Sequence, residues 1–338
     1  MASYILRRLV YMVIMFLVIS LLMFSVYNLI PTDPARAELE PMKQSLKPAE
    51  YQEMYQRLRQ QLGLDDPLLL RYARWMGLAK EQNGRFDGLL QGNFGYSNLY
   101  KKDVRLVIDD PLQTTIFMNI FATILALGIT IPLGIRTAVK KGGLYDKSVQ
   151  VFSIVGYSIP IFIVSLIFIY FLAVLIPIFP VMGTKTPGSD YTGMQYYVDR
   201  LYYLALPLIV MTFASLGSMT RYVRAAMIDA LSTDYVRTAR AKGVREKVVI
   251  YSHAWRNALL PVVTVVIGWF LSIFSGSLVI ERTFSINGMG KLYIDGLFNN
   301  DYELVLAMQM FYTVVSLIGG LLIDLSYGLV DPRVRINK

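Results

Sequence analysis

Cysteine is absent from this chain of 338 residues, and histidine occurs once. Without cysteine there is no disulfide framework, no thiolate nucleophile and no Cys-ligated metal, and the redox compartment cannot be read. With His253 alone, His-pair zinc motifs are impossible, and any His-based triad would rest on that one residue. His253 lies in a basic stretch beside Trp255 and Arg256, with no Ser–Asp arrangement at useful spacing. A phosphate loop is also missing. Residues 288–291 read Gly-Met-Gly-Lys, but the pattern needs glycine at 285 and a hydroxyl residue at 292, where the chain has Ser285 and Leu292. Nothing here reads as an enzyme active site. Acidic residues are scarce inside the apolar runs, where only Asp324 lies well within one. Ion-coupled transporters keep such costly residues for function, so the scarcity weighs against proton or sodium coupling.

Long apolar runs are what the chain does have. Its composition is 55% hydrophobic, whereas a soluble domain is about 45–50% apolar and rarely holds runs of ~20 residues. Six spans are expected, at 9–30, 112–135, 149–176, 203–219, 259–280 and 305–330. The first could instead be a cleaved signal peptide, with Ala35-Arg36-Ala37 resembling a cleavage site. A signal core is only ~7–15 residues, so retention is the reading. The fourth span is the shortest, and it contains Pro207.

The formal charge of +9 belongs to short loops. One side collects Arg7, Arg8, Arg136, Lys140, Lys141, Lys147, the stretch 221–256, and Arg333, Arg335 and Lys338. The opposite short loops hold only Lys185, Arg200, Arg282 and Lys291. The positive-inside rule then puts both termini in the cytoplasm and the long loop 31–110 outside. That outer loop predicts a helix over 48–62, with Tyr51, Met54, Tyr55, Leu58 and Leu62 on one face and Gly63 as its stop. A second short helix follows Asp66-Pro67 and carries Tyr72, Trp75 and Met76. Residues 92–97 are turn-rich, and 104–108 could lie along the bilayer surface. The loop is either a cap on the outer mouth or a surface for an extracytoplasmic partner. Tyr191, Tyr196, Tyr197, Tyr202 and Tyr203 form an expected aromatic belt. Gly268, Ser272 and Gly276, and Gly319 with Gly320, suit close helix packing, and small residues would equally suit the lining of a pathway between two such subunits.

The stretch 221–256 is too polar to span and too long for a minimal connector. Residues 222–242 lack proline and glycine and are rich in helix formers. Ser232 or Thr233 could cap a short helix that ends at Gly243, with a second basic helical piece over 246–258. Alone, it reads as an anchor on anionic lipid. However, DYVRTARAKG at 234–243, followed by HAWRNALLP at 253–261, resembles the EAA loop of ABC importer permeases, in the version of the oligopeptide/dipeptide/nickel group. ILRRL at 5–9, LIPTDP at 29–34, LGLDDP at 62–67, GNFGYS at 92–97, and Gly276-Ser277 with Glu281 and NGMG at 287–290 fall in the same order. The long first outer loop looks like the B-type permease of the pair.

The resemblance implies an all-α polytopic membrane protein, with six transmembrane helices in the type I importer permease fold. A small, mainly helical extracytoplasmic insertion separates spans 1 and 2. The expected divisions are 1–30, 31–110, a core over 111–330 containing the coupling loop 221–261, and a tail 331–338. It implies a non-catalytic subunit that pairs with a second homologous permease, docks on two cytoplasmic ATPases that use ATP and magnesium, and receives peptide from an extracytoplasmic binding protein. Asp234, Tyr235, Arg237, Thr238, Ala239 and Lys242 would face the ATPase, with Gly243 setting the turn. No substrate-binding residue is assigned, and no cofactor belongs to the chain itself. Thr32 and Asn287 depart from the usual Gly and Pro, and the loop 183–203 is longer than usual. Nickel or another small solute remains an alternative cargo. A transporter or channel independent of ATP and a membrane scaffold remain alternative classes.

Overall fold

A computed structural model describes residues 2–30, 33–81 and 84–330. Thr32 and the tail 331–338, with Arg333, Arg335 and Lys338, lie outside the described residues. The helices in chain order are α1 (Ala2–Leu29), α2 (Pro34–Leu39), α3 (Pro48–Gln61), α4 (Leu68–Met76), α5 (Val104–Val139), α6 (Leu144–Ser158) and α7 (Ile161–Ile169). They continue with α8 (Gly193–Leu231), α9 (Asp234–Ala241), α10 (Glu246–Val248), α11 (Arg256–Leu271), α12 (Leu278–Thr283), α13 (Met289–Phe298) and α14 (Tyr302–Val330). A two-residue ladder pairs β1 (Tyr96–Ser97) with β2 (Lys102–Asp103). Among the described residues five helices are long and apolar enough to cross a membrane, and six crossings result if one bent pair counts as a span.

The chain divides into two compact units, Met1–Asp110 with Leu292–Leu317, and Pro111–Lys291 with Ile318 onward. In the first unit, α1 is fastened to α4. Ser20 Oγ and Tyr72 Oη are 2.7 Å apart, and Phe24 packs on the rings of Tyr72 and Trp75. Burying a side chain of that size is worth about 1.5–3 kcal/mol. The helix α3 forms as expected and ends before Gly63, which adopts a left-handed φ of 62°. Only Tyr55 of its apolar face is fully buried, against Ala35 and Leu39, while Met54 and Leu62 are exposed. Asp33 caps α2 through the amides of Ala35 and Arg36, and it also accepts from Tyr55 and Arg59. The turn-rich segment is held from far along the chain. Tyr96 N donates to Glu303, and Ser97 and Leu99 donate to Asp301.

Several expectations change. Residues 104–108 are not a separate segment but the first turns of the 36-residue α5, which runs on through Pro111 and Pro132. The third span is bent by 102° between α6 and the segment Ile161–Leu175. Ile159, placed before Pro160, is driven out of the helical region to ψ 127°, so α6 ends at Ser158. The fourth span, expected to be the shortest, is part of α8, the longest helix described at 39 residues. Charged flanks shorten its apolar window without interrupting its backbone, and Pro207 sits within it. The fifth span ends at Phe274, and residues 278–280 belong to α12. A β-carbon on Gly268 would meet open space, whereas one on Gly319 would strike Leu271, so only the latter packs as expected.

Candidate functional site

The helix α9 is a short amphipathic rod set between α8 and the start of the fifth span. Thr233, in an extended conformation, precedes it, and its carbonyl accepts from Val236 N and Arg237 N at 3.2 Å each. At the other end Gly243 N donates to Arg240 O (2.9 Å) and Val244 N to Ala239 O (3.2 Å). This is the Schellman pattern, which needs a left-handed residue after the cap, and Gly243 supplies it at φ 71°. Arg240 reaches back across the turn to Glu246, Nη2 to Oε1 at 2.7 Å, a pairing that motif reading did not find. The basic piece after the turn is not a separate helix. Helix α10 runs through a π-helical stretch, Val249–Trp255, which contains His253, straight into α11.

One face of α9 is seated and the other is free. Val236 is 0% exposed and Ala239 7% exposed. Both join a core with Met219, Val223 and Met227 of α8, Ile135 and Ala138 of α5, and Val249, Ala254, Ala258 and Val262 around the start of α11. Ala239 therefore faces inward and anchors the helix, a correction to its expected outward role. Positions 236 and 239 are spaced i, i+3, which puts both on one face. Tyr235 is 43% exposed, and Asp234, Arg237, Thr238, Lys242 and Gly243 are likewise exposed. Arg237 and Asp234 approach to 3.5 Å on this outer face.

A second arrangement lies where the fifth span breaks, in residues the motifs had marked without giving a reason. Glu281 is completely buried. It accepts from Lys291 N at 2.8 Å, Ser277 N at 3.1 Å and Thr115 Oγ1 at 3.3 Å. Burial pushes its carboxyl above the ordinary glutamate value, while the amides of Lys291, Ser277 and Gly290 and the Thr115 hydroxyl oppose that rise. The glycines around it have no room for a side chain. A β-carbon on Gly276 would sit 2.0 Å from Gly290 N, and one on Gly288 would sit 2.5 Å from the Glu281 carboxyl carbon. The glycines at 288 and 290, which faintly suggested a phosphate loop, are thus a seat for a carboxylate.

Two joined regions of the chain match known families. Residues 130–336 match the binding-protein-dependent transport system inner membrane component family, and residues 1–119 match the N-terminal membrane component of such systems. This chain belongs to that family. The transport component is 35% identical to the oligopeptide transport system permease protein AppB of Bacillus subtilis, over 99% of this chain and 100% of the relative. It is 31% identical to the dipeptide transport system permease protein DppB of Escherichia coli K12, over all of both chains. Against the dipeptide permease DppB of Bacillus subtilis the identity is 30%, over 100% of this chain and 99% of that one. The helical architecture of this inner membrane component, with the bent pair taken as one crossing, is the type I importer permease fold.

Proposed function

We propose that this chain is one of two related permeases in an ATP-driven, binding-protein-dependent importer of oligopeptides or dipeptides. The names of the relatives support a peptide cargo. Both termini lie in the cytoplasm, and the loop 31–110 meets an extracytoplasmic binding protein that delivers the solute. ATP and magnesium belong to two cytoplasmic ATPase subunits. The observation that carries the coupling role is the two-sidedness of α9. Its inner face is rooted in a core built from three spans, and its outer face offers Asp234, Tyr235, Arg237, Thr238 and Lys242 to a partner.

In this reading, closure of the ATPases on ATP displaces α9, and Val236 and Ala239 pass the displacement to α8 and α11. A helix resting on packed side chains moves with its neighbours because interiors are close-packed and resist compression. Gly243 fixes the angle at which the rod meets the span. Replacing it with isoleucine forces a β-branched residue into the left-handed region, at a cost of about 1–2 kcal/mol. Space for the side chain exists there, so the change tilts the turn without a clash. The Gly243→Ile chain should reach the membrane at normal level and lose ATP-driven uptake of a labelled tripeptide. Tyr235→Ala with Arg237→Ala should lose uptake and ATPase co-purification together. Normal uptake by both variants would overturn the coupling role.

A further inference from the structure

Two clefts open among the spans of the second unit, and they share a wall. The first, about 310 Å³, is lined by Asn119 and Thr123 of α5, Ser215 of α8, and Ser272 and Ser277 near the end of the fifth span. The second, about 510 Å³, is lined by Gln150 of α6 and by Arg221 and Arg224 of α8. Tyr157 of α6 and Ser218 of α8 line both.

Polar side chains are costly in a lipid-spanning bundle unless they meet one another or border water. The first cleft holds amide, hydroxyl, aromatic and aliphatic groups and no formal charge. Asn119 donates to the carbonyls of Ile273 and Ser275, both at 2.9 Å, which holds the frayed end of the fifth span against α5. Ser215 and Ser272 give their protons to their own helices, to Met211 O and Trp269 O, and keep oxygen lone pairs as acceptors. The second cleft has a different character. Arg224 is neutralised by Asp146, but Arg221 is exposed and makes no ion pair among the described residues. One chamber is neutral and the other is basic.

The boundary between them sits at a close crossing of α6 and α8. A β-carbon on Gly217 would lie 2.6 Å from Ser153 O and from the Tyr157 β-carbon, so α6 and α8 meet there with no intervening side chain. Tyr157 is 67% exposed and lies in the last turn of α6, just before the 102° bend. We infer that Tyr157 and Ser218 form the waist of the solute path in this chain, between a neutral chamber suited to amide-bearing solutes and a basic vestibule suited to a carboxylate. The inference rests on the transport reading above and deepens it, since a peptide carries backbone amides and a terminal carboxylate.

The natural absence of cysteine makes the test direct. Ser218→Cys and Ser272→Cys, both at exposed cleft-lining positions, are introduced singly, with Ile154→Cys as control, an exposed α6 residue that lines neither cleft. The full transporter in membrane vesicles is treated with a charged, water-soluble methanethiosulfonate, and label, ATP hydrolysis and uptake of radiolabelled trialanine are measured. Label at both path positions and none at the control is expected, with uptake lost on labelling of Ser218→Cys while ATP hydrolysis continues. Tyr157→Phe should retain uptake, and Tyr157→Ala should let trialanine leak without ATP. An unlabelled Ser218→Cys, or a labelled one with full uptake, overturns the waist. If Ser218→Cys fails to insert, Ser215→Cys on the same wall is read in the same way. Label reports the waist whatever the cargo, so wild-type failure to import trialanine would overturn the peptide reading alone.

Discussion

Arg224→Met removes a guanidinium from one of the best-formed ion pairs in the chain. Arg224 donates Nε to one Asp146 oxygen and Nη2 to the other, both at 2.7 Å. Gly142 N and Gln150 Nε2 add two neutral donors at 2.8 Å. Asp146 is 1% exposed, so the variant strands a buried carboxylate with its neutral donors only. Removing one partner of a buried pair costs about 3–5 kcal/mol. The two remaining donors, and a solvent-reached edge on the arginine, place this case near the low end, about 3 kcal/mol. A unit of this size loses roughly 2–4 °C of Tm per kcal/mol, so a fall of about 6–12 °C is expected. Asp146→Asn combined with Arg224→Met should lose much less than the sum of the two single changes, with a coupling energy of about 1.5–3 kcal/mol. Thermal unfolding of the solubilised protein, followed by size-exclusion fluorescence, measures all four chains of the cycle. A drop below about 2 °C for Arg224→Met, or strict additivity in the double variant, would refute the argument.

Gly276→Val should prevent stable assembly of the break in the fifth span, because even a β-carbon would meet Gly290 N at 2.0 Å. The loss would be read as reduced membrane accumulation, and normal accumulation with wild-type Tm would contradict the close approach. Acid should act on the loop between the first two spans through Asp33. Burial alone would raise its carboxyl, but the Tyr55 hydroxyl, the amides of Arg36 and Ala35, and Arg59 hold it below the ordinary aspartate value. A lowered folded value means this stabilisation is complete above about pH 4 and is lost as pH falls through the folded value. Protease nicking near α2 and α3 should therefore be flat from pH 7 to about 5 and rise only in stronger acid. Asp33→Asn should nick readily at every pH.

The placement of α9 shows how much could be read in advance. Its bounds were legible because Thr233 and Gly243 punctuate an Ala-rich segment, and backbone capping is a local matter. Its orientation was not fully legible. Ala239 is small, so it carries almost no hydrophobic signal, and only its place in the buried core shared with Met219, Val223 and Ala258 reveals which way it points. Val236 could have supplied the clue, since an apolar residue three positions earlier marks the same face. The bend at Ile159-Pro160 was open to a local reading as well, but hydropathy measures transfer to lipid and carries no direction, so the run looked like one straight span.

From composition and run length alone came the polytopic class and a count of six crossings, which the described helices meet when the bent pair is one span. Order of motifs added the family. These follow because lipid imposes its demand on each segment separately, through length and apolarity. The seat of Glu281 belongs to another level. It joins Thr115, Ser277 and Lys291, residues up to 176 positions apart, and no local pattern encodes such a meeting. The same holds for the waist at Tyr157 and Ser218, which exists only because Gly217 lets two helices cross without a gap. Contacts between distant residues depend on how the helices pack, and packing is a property of the whole fold.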